Sequence, residues 1–241
     1  MVRKLKYAAC RHFGKKKLKV GHAGTLDPLA TGILLLCIGP ATRKAEQLQA
    51  SPKQYIAEIV FGATTPSYDL EKDIDRFFPT DGVSEEALKA ALPAFIGKQQ
   101  QVAPLFSAKS AGGVRAYETA RKLLRQARES GTAFDHSAAV CLQVNNIEIY
   151  NLELLDFSYR EFPQPEPAQS RINVADISGR IFPVARVLID CSKGTYIRAF
   201  ARDLGEALGS GAFLSALRRS KNGGFELKDA VNLQDALEML A

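Results

Sequence analysis

The chain has 241 residues, of which 46% are hydrophobic and 24% are charged, a balance that excludes a disordered polypeptide and provides material for a sizeable core. The net charge of +6 favours polyanionic partners, no signal peptide is visible, and no apolar run approaches the about 20 residues that cross a bilayer. With four cysteines that form no CxxC pair and three histidines, no metal-ligand cluster is recognisable, and reduced thiols in a cytoplasmic protein are expected at Cys10, Cys37, Cys141 and Cys191.

The first elements in chain order combine a basic helix with a glycine-rich loop. Apolar residues at helical spacing predict a helix over residues 3–13, and a basic turn, Lys15–Lys19, follows it. Residues 1–21 hold eight lysines and arginines and no acid, a distribution that fits either a solvated surface or a contact with RNA. The next predicted elements are a loop (Gly21–Gly32), a short apolar strand buried on both faces (Ile33–Ile38) and a short helix (Ala41–Ala50).

The middle of the chain predicts a strand and two amphipathic helices. Ser84 is placed as an N-cap, and Pro93 interrupts the helix that Ser84 begins. The segments are an alternating strand (Gln54–Gly62), a polar stretch without periodicity (Ala63–Arg76), and helices over Ser84–Ile96 and Val114–Glu129.

The C-terminal half predicts further strands before a helix. The segments are two strands within Val140–Tyr159, a proline-rich loop (Arg160–Gln169), strands over Arg171–Asp176 and Ile181–Cys191, a helix (Tyr196–Leu208) ended by Gly209, and a short helix within Leu227–Leu240. Strands and helices do not alternate strictly, so the order favours an α+β fold, a mixed or antiparallel sheet flanked by helices. No repeat or long linker divides the chain, and residues 1–241 are expected to form a single domain.

The loop over residues 21–32 is the segment richest in chemistry. Its three glycines permit backbone conformations that other residues avoid. Asp27 precedes Pro28, which favours an extended, fixed conformation for the aspartate. A carboxylate held in this way is able to act as a nucleophile, a base or a metal ligand. From the residues alone, a turn aspartate that caps its own backbone is the simpler interpretation.

The loop sequence Gly-His-Ala-Gly-Thr-Leu-Asp-Pro-Leu-Ala-Thr-Gly resembles the signature loop of the TruB family of pseudouridine synthases. Other blocks resemble that family in the same order: Lys53-Gln54-Tyr55, Phe106-Ser107-Ala108-Lys109, Arg115-Ala116-Tyr117-Glu118, Cys191-Ser192-Lys193-Gly194-Thr195-Tyr196-Ile197-Arg198 and Leu217-Arg218-Arg219. The resemblance extends over residues 3–220, and several ordered blocks are far more specific than one loop. It implies a pseudouridine synthase-type sheet and isomerisation of a uridine in the T loop of tRNA.

The resemblance implies a role for each matching residue. Asp27 corresponds to the family's nucleophile, which either attacks the sugar or removes a sugar proton, and Arg198 is expected to pair with it. Tyr55 is expected to stack on the flipped base, while Tyr196 and Leu217 line the pocket and exclude water. Because the reaction involves no redox change and no net hydrolysis, it implies no cofactor and no metal.

The same resemblance implies how RNA is bound. His22 is expected to help hold the target base outside the base stack. Flipping the base out of the stack costs roughly a few kcal/mol. Arg43, where the family commonly has lysine, and the basic stretch Lys15–Lys19 are expected to contact phosphates of the T arm. Asp69 resembles an aspartate in the loop after the Tyr55 strand. The implied partner is the T-arm stem-loop of tRNA. The protein is expected to be a monomer that binds neither a membrane nor a metal.

Two departures from the family pattern leave alternatives open. The chain begins inside the helix that follows the family's N-terminal Lys-Pro-x-Gly-x-Thr-Ser strand, so it is expected to be N-terminally truncated relative to the family. Residues 227–241 are too few for a C-terminal PUA domain. One alternative is therefore a tRNA-binding or tRNA-folding module with weak or no catalysis. A guide-RNA-dependent relative would be expected to carry a PUA domain and partner surfaces.

Overall fold

The computed structural model describes residues 1–106, 110–111, 114–132, 134–136, 144–166 and 174–241. Its α-helices are α1 (Val2–His12), α2 (Ala45–Ala50), α3 (Glu85–Ala91), α4 (Ala116–Ser130), α5 (Ile197–Ala207) and α6 (Leu233–Glu238). Its strands are β1 (Val20–Ala23), β2 (Thr31–Gly32), β3 (Leu35–Ile38), β4 (Lys53–Phe61), β5 (Ala63–Thr64), β6 (Arg76–Phe77), β7 (Gly97–Val102), β8 (Ser110–Ala111), β9 (Val114–Arg115), β10 (Val144–Glu161), β11 (Ile181–Cys191), β12 (Ala212–Asn222) and β13 (Phe225–Glu226). None of these helices is both long and apolar enough to span a bilayer.

A seven-stranded sheet forms the centre of the described structure. Its order is β13-β12-β4-β11-β10-β7, with antiparallel pairing between neighbours. The short strand β2 pairs in parallel with β12, so the sheet is mixed. The predicted α+β class is therefore confirmed. The remaining strands form three separate pairs, β1 with β3, β5 with β6 and β8 with β9.

The middle strands β4 and β11 lie where the sequence predicts strands. β11 has the predicted bounds, and β4 lies at the predicted place. On one face Ala57 and Ile59 join the main apolar cluster, to which α5 contributes Phe200. On the other face Val60 joins a second cluster with Phe213 of β12. Because apolar residues cover both faces, these strands form a buried platform for the loops at their ends.

The region after α4 differs from the prediction. The two strands expected within Val140–Tyr159 are one strand, β10, for its described part. Register shifts between Ile149 and Asn151 and between Leu154 and Asp156 interrupt the alternation, and this is why one strand resembled two. Residues 140–143 lie outside the described residues.

Two neighbouring predictions also need correction. The loop expected from Arg160 begins after Glu161, because β10 continues to that residue. The strand expected over Arg171–Asp176 is wrong for its described part, since residues 174–176 have no strand structure. Residues 167–173 lie outside the described part of the chain.

The sequence pattern did not predict strands β7 and β12. β12 contains a polar run from Arg218 to Asn222, so it shows no apolar alternation, yet Arg219 and Asn222 are buried. β7 consists largely of glutamines, of which Gln101 is buried. Both strands form by backbone pairing with distant segments, which local periodicity does not report.

The segment around the glycine-rich loop is more regular than predicted. Its first residues form β1, which pairs with β3, and Thr31–Gly32 pairs with β12. Burial on both faces, predicted for Ile33–Ile38, is wrong: Ile33 and Cys37 are buried, and the other residues of that run are half-buried. A two-stranded pair beside the main sheet lacks the second layer that would cover both faces.

The predicted helices are present with changed boundaries. The Ser84 hydroxyl accepts a hydrogen bond from the Ala87 amide at 3.1 Å, which confirms the N-cap, and a 3₁₀ helix containing Pro93 follows α3. α4 begins after β9 instead of at Val114. The C-terminal segment is a 3₁₀ turn followed by α6 instead of one helix.

The polar stretch after β4 is largely buried. Thr65, Ser67 and Asp69 are 0%, 1% and 5% exposed. Tyr68 has φ of 56°, the one positive value for a non-glycine residue in the described chain, and its carbonyl accepts a hydrogen bond from the Leu214 amide at 3.0 Å. This strained turn places the Asp69 side chain in the interior.

Candidate active site

Asp27 forms a two-point contact with Arg198. The guanidinium donates from Nε to Oδ2 and from Nη2 to Oδ1 of Asp27, both at 3.0 Å. The Arg198 side chain is 6% exposed and that of Asp27 is 35% exposed. A buried fork thus orients a carboxylate whose remaining surface faces an opening, and such paired bonds are the strong, directional kind. The turn at Asp27 is closed by the Ala30 amide, which donates to the Asp27 carbonyl at 3.0 Å.

The start of α5 holds Arg198 in place. Its Nη1 donates to the Ser67 carbonyl and its Nη2 to the Phe106 carbonyl, both at 3.0 Å. The Gln101 side chain of β7 accepts from the Tyr196 amide at 2.8 Å and donates to the Tyr196 carbonyl at 3.1 Å. These bonds tie the helix start to the sheet edge, so the guanidinium has little freedom to move.

Asp69 provides a second carboxylate beside the same guanidinium. Its Oδ2 lies 3.7 Å from Arg198 Nε, and its Oδ1 accepts from the Ser67 hydroxyl at 2.6 Å and the Glu71 amide at 2.9 Å. Burial raises the pKa of Asp69, while Arg198 opposes that rise. Burial disfavours the charged form of Arg198, but the carboxylates of Asp27 and Asp69 outweigh it and raise the pKa of Arg198. The guanidinium therefore stays charged beside Asp27.

A small pocket opens at Asp27. Arg198 and Asp69 line its charged side, and Leu217 contributes to an apolar wall. The full lining is Asp27, Leu29, Ala30, Asp69, Arg198, Leu214, Ser215, Ala216 and Leu217. An oriented carboxylate beside an apolar wall is suited to attack on, or proton removal from, a group held against that wall. No cluster of three or more His, Cys, Asp or Glu side chains able to hold a metal occurs in the described residues.

The two tyrosines expected at the site, Tyr55 and Tyr196, are not among the residues that line this pocket, so the expected lining role of Tyr196 is wrong for this structure. Tyr55 on β4 is half-buried and packs against the main apolar cluster, with Arg219 opposite it on β12. Burial raises the pKa of Tyr55, and the nearby Arg219 guanidinium partly offsets that rise. Tyr196 is the half-buried residue at which α5 begins.

His22 and Arg43 lie apart from the pocket lining. His22 is exposed on β1, opposite Leu36, and Arg43 is exposed on the 3₁₀ helix over Gly39–Lys44. The Gly39 amide donates to the Lys19 carbonyl at 2.8 Å, so the basic turn and this 3₁₀ helix adjoin. The structure thus separates a pocket group (Asp27, Arg198, Leu217) from an outer basic surface.

Several residues of the site were not singled out from the sequence. Gln101 and Ser67 support Arg198, and no local pattern marks either one. Arg219 donates to carbonyls of the Asp27 loop, and the sequence marked it only as part of a block that resembles the family. In the block Phe106-Ser107-Ala108-Lys109, which resembles the family, residues 107–109 lie outside the described residues.

Two family models match the chain. The one described as TruB family pseudouridylate synthase (N terminal domain) matches residues 11–197. The one described as tRNA pseudouridylate synthase B C-terminal domain matches residues 198–241. The boundary falls inside α5, and both matched segments contribute strands to the central sheet.

Similar curated proteins bear the name tRNA pseudouridine synthase B. That of Phocaeicola vulgatus is 41% identical over 240 residues, covering 100% of this chain and 86% of the relative. That of Bacteroides thetaiotaomicron is 43% identical over 228 residues, covering 95% and 81%. That of Thermus thermophilus is 40% identical over 227 residues, covering 90% and 68%.

Solved structures share the fold. A chain of a Cbf5-Nop10-Gar1 complex aligns with a TM-score of 0.57 at 22% identity, covering 97% of this chain and 49% of that one. A chain of the archaeal box H/ACA sRNP Nop10-Cbf5 complex aligns with a TM-score of 0.54 at 20% identity, covering 99% and 50%. This chain spans about half of those chains, and at such identities the likeness shows the fold alone.

Proposed function

The chain belongs to the TruB family of pseudouridylate synthases, and from this premise we propose that Asp27 is the nucleophile with which it converts a T-loop uridine of tRNA to pseudouridine. Isomerisation of uridine to pseudouridine in tRNA is the activity of this chain, given relatives of that name at 41% and 43% identity over nearly its whole length. The observation that supports Asp27 is its two-point bond to the buried Arg198 at an open pocket.

Arg198 prepares Asp27 for the reaction in two ways. Its positive charge favours the ionised carboxylate that either chemistry requires, and its fork fixes the direction of the free oxygen lone pairs. Asp27 then either attacks C1′ of the ribose or takes a proton from C2′. Attack forms an ester between Asp27 and C1′ as the bond from C1′ to N1 breaks, and C5 of the rotated base then displaces the carboxylate from C1′. Proton removal instead gives a glycal as the same bond breaks, and C2′ regains its proton when C5 bonds to C1′. In both cases the proton lost from C5 is matched by a proton gained at N1. The product is an isomer, so no electrons or atoms are gained.

The pocket walls serve the freed base. Leu217 lines the pocket beside Asp27, so it is placed to keep water from the sugar. We assign Tyr55 of β4 to stacking on the base. Burial raises the pKa of Tyr55, so the phenol stays protonated near neutral pH and offers a flat, uncharged face.

The outer basic surface is assigned to the T arm. Lys15, Lys16, Lys17 and Lys19 are exposed, and the adjoining 3₁₀ helix carries exposed Arg43. These cations are suited to phosphates, and His22 on the neighbouring β1 is suited to the space left by a flipped base. We propose that residues 1–241 act as one catalytic domain, as a cytoplasmic monomer without cofactor or metal.

The proposal is tested by pseudouridine formation on an unmodified T-arm stem-loop and on a full tRNA transcript. The chain is expected to modify one T-loop uridine in each. The matched control is Asp27→Asn, which removes the charge and keeps the shape. It is expected to bind tRNA with an affinity like that of the parent and to lose isomerisation. Turnover within about tenfold of the parent, ~1.4 kcal/mol of barrier, would refute the assignment of Asp27.

Binding without product in the parent chain would favour the alternative of a tRNA-folding module. The two chemistries of Asp27 are separated by a substrate deuterated at C2′ of the target uridine. Removal of the C2′ proton predicts a primary isotope effect on single-turnover rates, and attack at C1′ predicts none.

A further inference from the structure

Arg219 is a buried cation outside the pocket lining. It is 1% exposed and is the largest of the fully buried side chains in the described residues. It lies on β12 between β4 and β2, in register with Tyr55 of β4 and Gly32 of β2. Within the described part of the chain its guanidinium donates to three main-chain carbonyls and to no carboxylate. A buried charge without an acidic partner is costly, which suggests a role beyond general stability.

The guanidinium of Arg219 holds the Asp27 loop at both ends. Its Nη2 donates to the Gly24 carbonyl at 3.1 Å and its Nη1 to the Thr25 carbonyl at 3.3 Å, just before Asp27 in the chain. Its Nε donates to the Ile33 carbonyl at 2.8 Å, just beyond the loop. The Ile33 amide in turn donates to the Arg219 carbonyl at 3.0 Å. One residue therefore fixes both ends of the segment that carries the carboxylate.

The loop fits closely against this side chain. Gly32 has φ of +98°, and a Cβ there would overlap the Arg219 carbonyl. Gly24 has φ of +90°, and a Cβ there would lie 3.5 Å from Arg219 Nη1. Asn222, three residues further along β12, adds a bond from Nδ2 to the Ala23 carbonyl at 3.1 Å. The loop thus rests on β12 by polar contacts that leave little room for displacement.

Arg219 also reaches the residue assigned to the base. The two residues lie opposite each other on β12 and β4, and the Arg219 guanidinium is close enough to the Tyr55 phenol to lower its pKa against the effect of burial. Arg198 orients the carboxylate of Asp27, whereas Arg219 bonds the backbone around Asp27 and pairs in register with Tyr55. Arg198 thus fixes the direction of the Asp27 side chain, and Arg219 fixes the position of the loop that carries it.

We propose that Arg219 is a positioning residue, which holds the Asp27 loop in place relative to Tyr55 on the neighbouring strand for catalysis. The inference rests on the proposed function, since it assumes that both residues act on one uridine. It requires that loss of the hydrogen bonds from the Arg219 guanidinium to the loop slows the chemical step and leaves tRNA binding nearly unchanged. Reacting groups misplaced by about 1 Å lose on the order of 100-fold in rate.

The test compares Arg219→Gln and Arg219→Lys with Arg186→Gln, which removes an exposed arginine from strand β11 of the same sheet. Steady-state and single-turnover rates, tRNA affinity and thermal unfolding are measured on the full chain. Arg219→Gln is expected to lower kcat on the order of 100-fold, with KM and the tRNA Kd within about threefold of the parent. Arg219→Lys keeps the charge and some of the bonds, so it is expected to recover part of kcat. Arg186→Gln is expected to match the parent.

Several outcomes would overturn the inference. A folded Arg219→Gln variant with kcat within about threefold of the parent shows that the Arg219 guanidinium does not position the Asp27 loop for catalysis. A loss of affinity equal to the loss of kcat indicates a binding role instead. If Arg219→Gln does not fold, Arg219→Lys decides by the same criteria, and failure of both to fold would show a purely structural role. An inactive parent chain refutes the proposed function itself, a result distinct from any of these.

Discussion

At the scale of single residues, the site depends on unequal burial of opposite charges. Arg198 is nearly inaccessible and has a fixed set of partners, whereas Asp27 keeps one side open to the pocket. The buried member of the pair therefore defines the geometry, and the accessible member is free to react. Asp69, which is buried beside Arg198, adds negative charge that keeps the guanidinium in place.

Replacement of Arg198 by lysine tests this division of roles. Lysine keeps the charge but cannot form the fork, so kcat is expected to fall by about 100-fold or more, equivalent to about 2.7 kcal/mol of barrier. The measurement is single-turnover pseudouridine formation with saturating enzyme. The control is Arg202→Lys, one turn further along α5, where the guanidinium bonds Val102 and Asp203 and not Asp27. Equal losses in the two variants would contradict the role of the fork.

Cys191 is expected to be chemically inert in the folded protein. Burial raises the pKa of its thiol to about 12 from an ordinary 9.0. A raised pKa means that the fold favours the protonated thiol, so this contribution to stability is complete below about pH 9 and is lost as pH rises toward 12. Peptide mapping after alkylation at pH 8 should show Cys191 unmodified in the native chain and modified in denaturant. Cys10, which is partly exposed, serves as the internal reference.

At the scale of elements, the loop that carries Asp27 is joined closely to β12. The parallel pairing of β2 with Arg218 and Arg219 extends the central sheet under the loop, so the loop has a rigid support. This pairing also explains the glycine at position 32, because a side chain there would collide with the backbone of β12. The element that carries Asp27 is thus defined by its neighbour as much as by its own sequence.

Gly32→Ala is expected to lower the free energy of unfolding by about 3 kcal/mol, because it combines an unfavourable positive φ with a steric overlap. Urea denaturation measures this change. Gly14→Ala is the matched control, since Gly14 also has a positive φ, +60°, but a Cβ added there would meet no atom within 4 Å. It is expected to cost only about 1 kcal/mol, from the backbone alone. Similar losses for the two variants would show that the contact with β12 does not matter.

At the scale of the whole molecule, charge is distributed for an extended polyanion. The basic turn and the 3₁₀ helix with Arg43 adjoin, while the Asp27 carboxylate lies in a separate pocket at the sheet. Under the proposed function, contacts to phosphate and contacts to the reacting base would therefore be made by different segments. Binding and chemistry should respond separately to substitution.

The affinity for tRNA is expected to fall steeply with salt, and neutralising part of the basic turn should weaken that dependence. Changing Lys15, Lys16 and Lys17 together to glutamine is predicted to reduce the slope of log Kobs against log salt by about three, roughly one per phosphate contact. Fluorescence anisotropy over a salt series measures the slope. The control changes Lys89, Lys98 and Lys228, exposed lysines elsewhere, to glutamine. If the control reduces the slope equally, the basic turn is not the tRNA contact.

Much of the architecture followed from the sequence by itself. Alternating apolar residues located β4, helical spacing located α5, and Ser84 marked the start of α3. These features depend on neighbours within one or two turns or along one strand, which a linear pattern records. The resemblance of residues 21–32 pointed to Asp27, a residue whose local pattern alone indicated a turn.

The tertiary structure decided what depends on contacts between distant segments. Asp27 and Arg198 are 171 residues apart in the chain, and the pairing of β2 with β12 and the packing of α5 against β12 bring their elements together. The sequences of β12 and of the turn at Asp69 have the polar pattern of surface segments. Arg219, Asn222 and Asp69 are nevertheless buried, because partners far along the chain stabilise them. Hydrogen-bonding partners of buried polar groups are set by the register of the whole sheet, and no local periodicity encodes them.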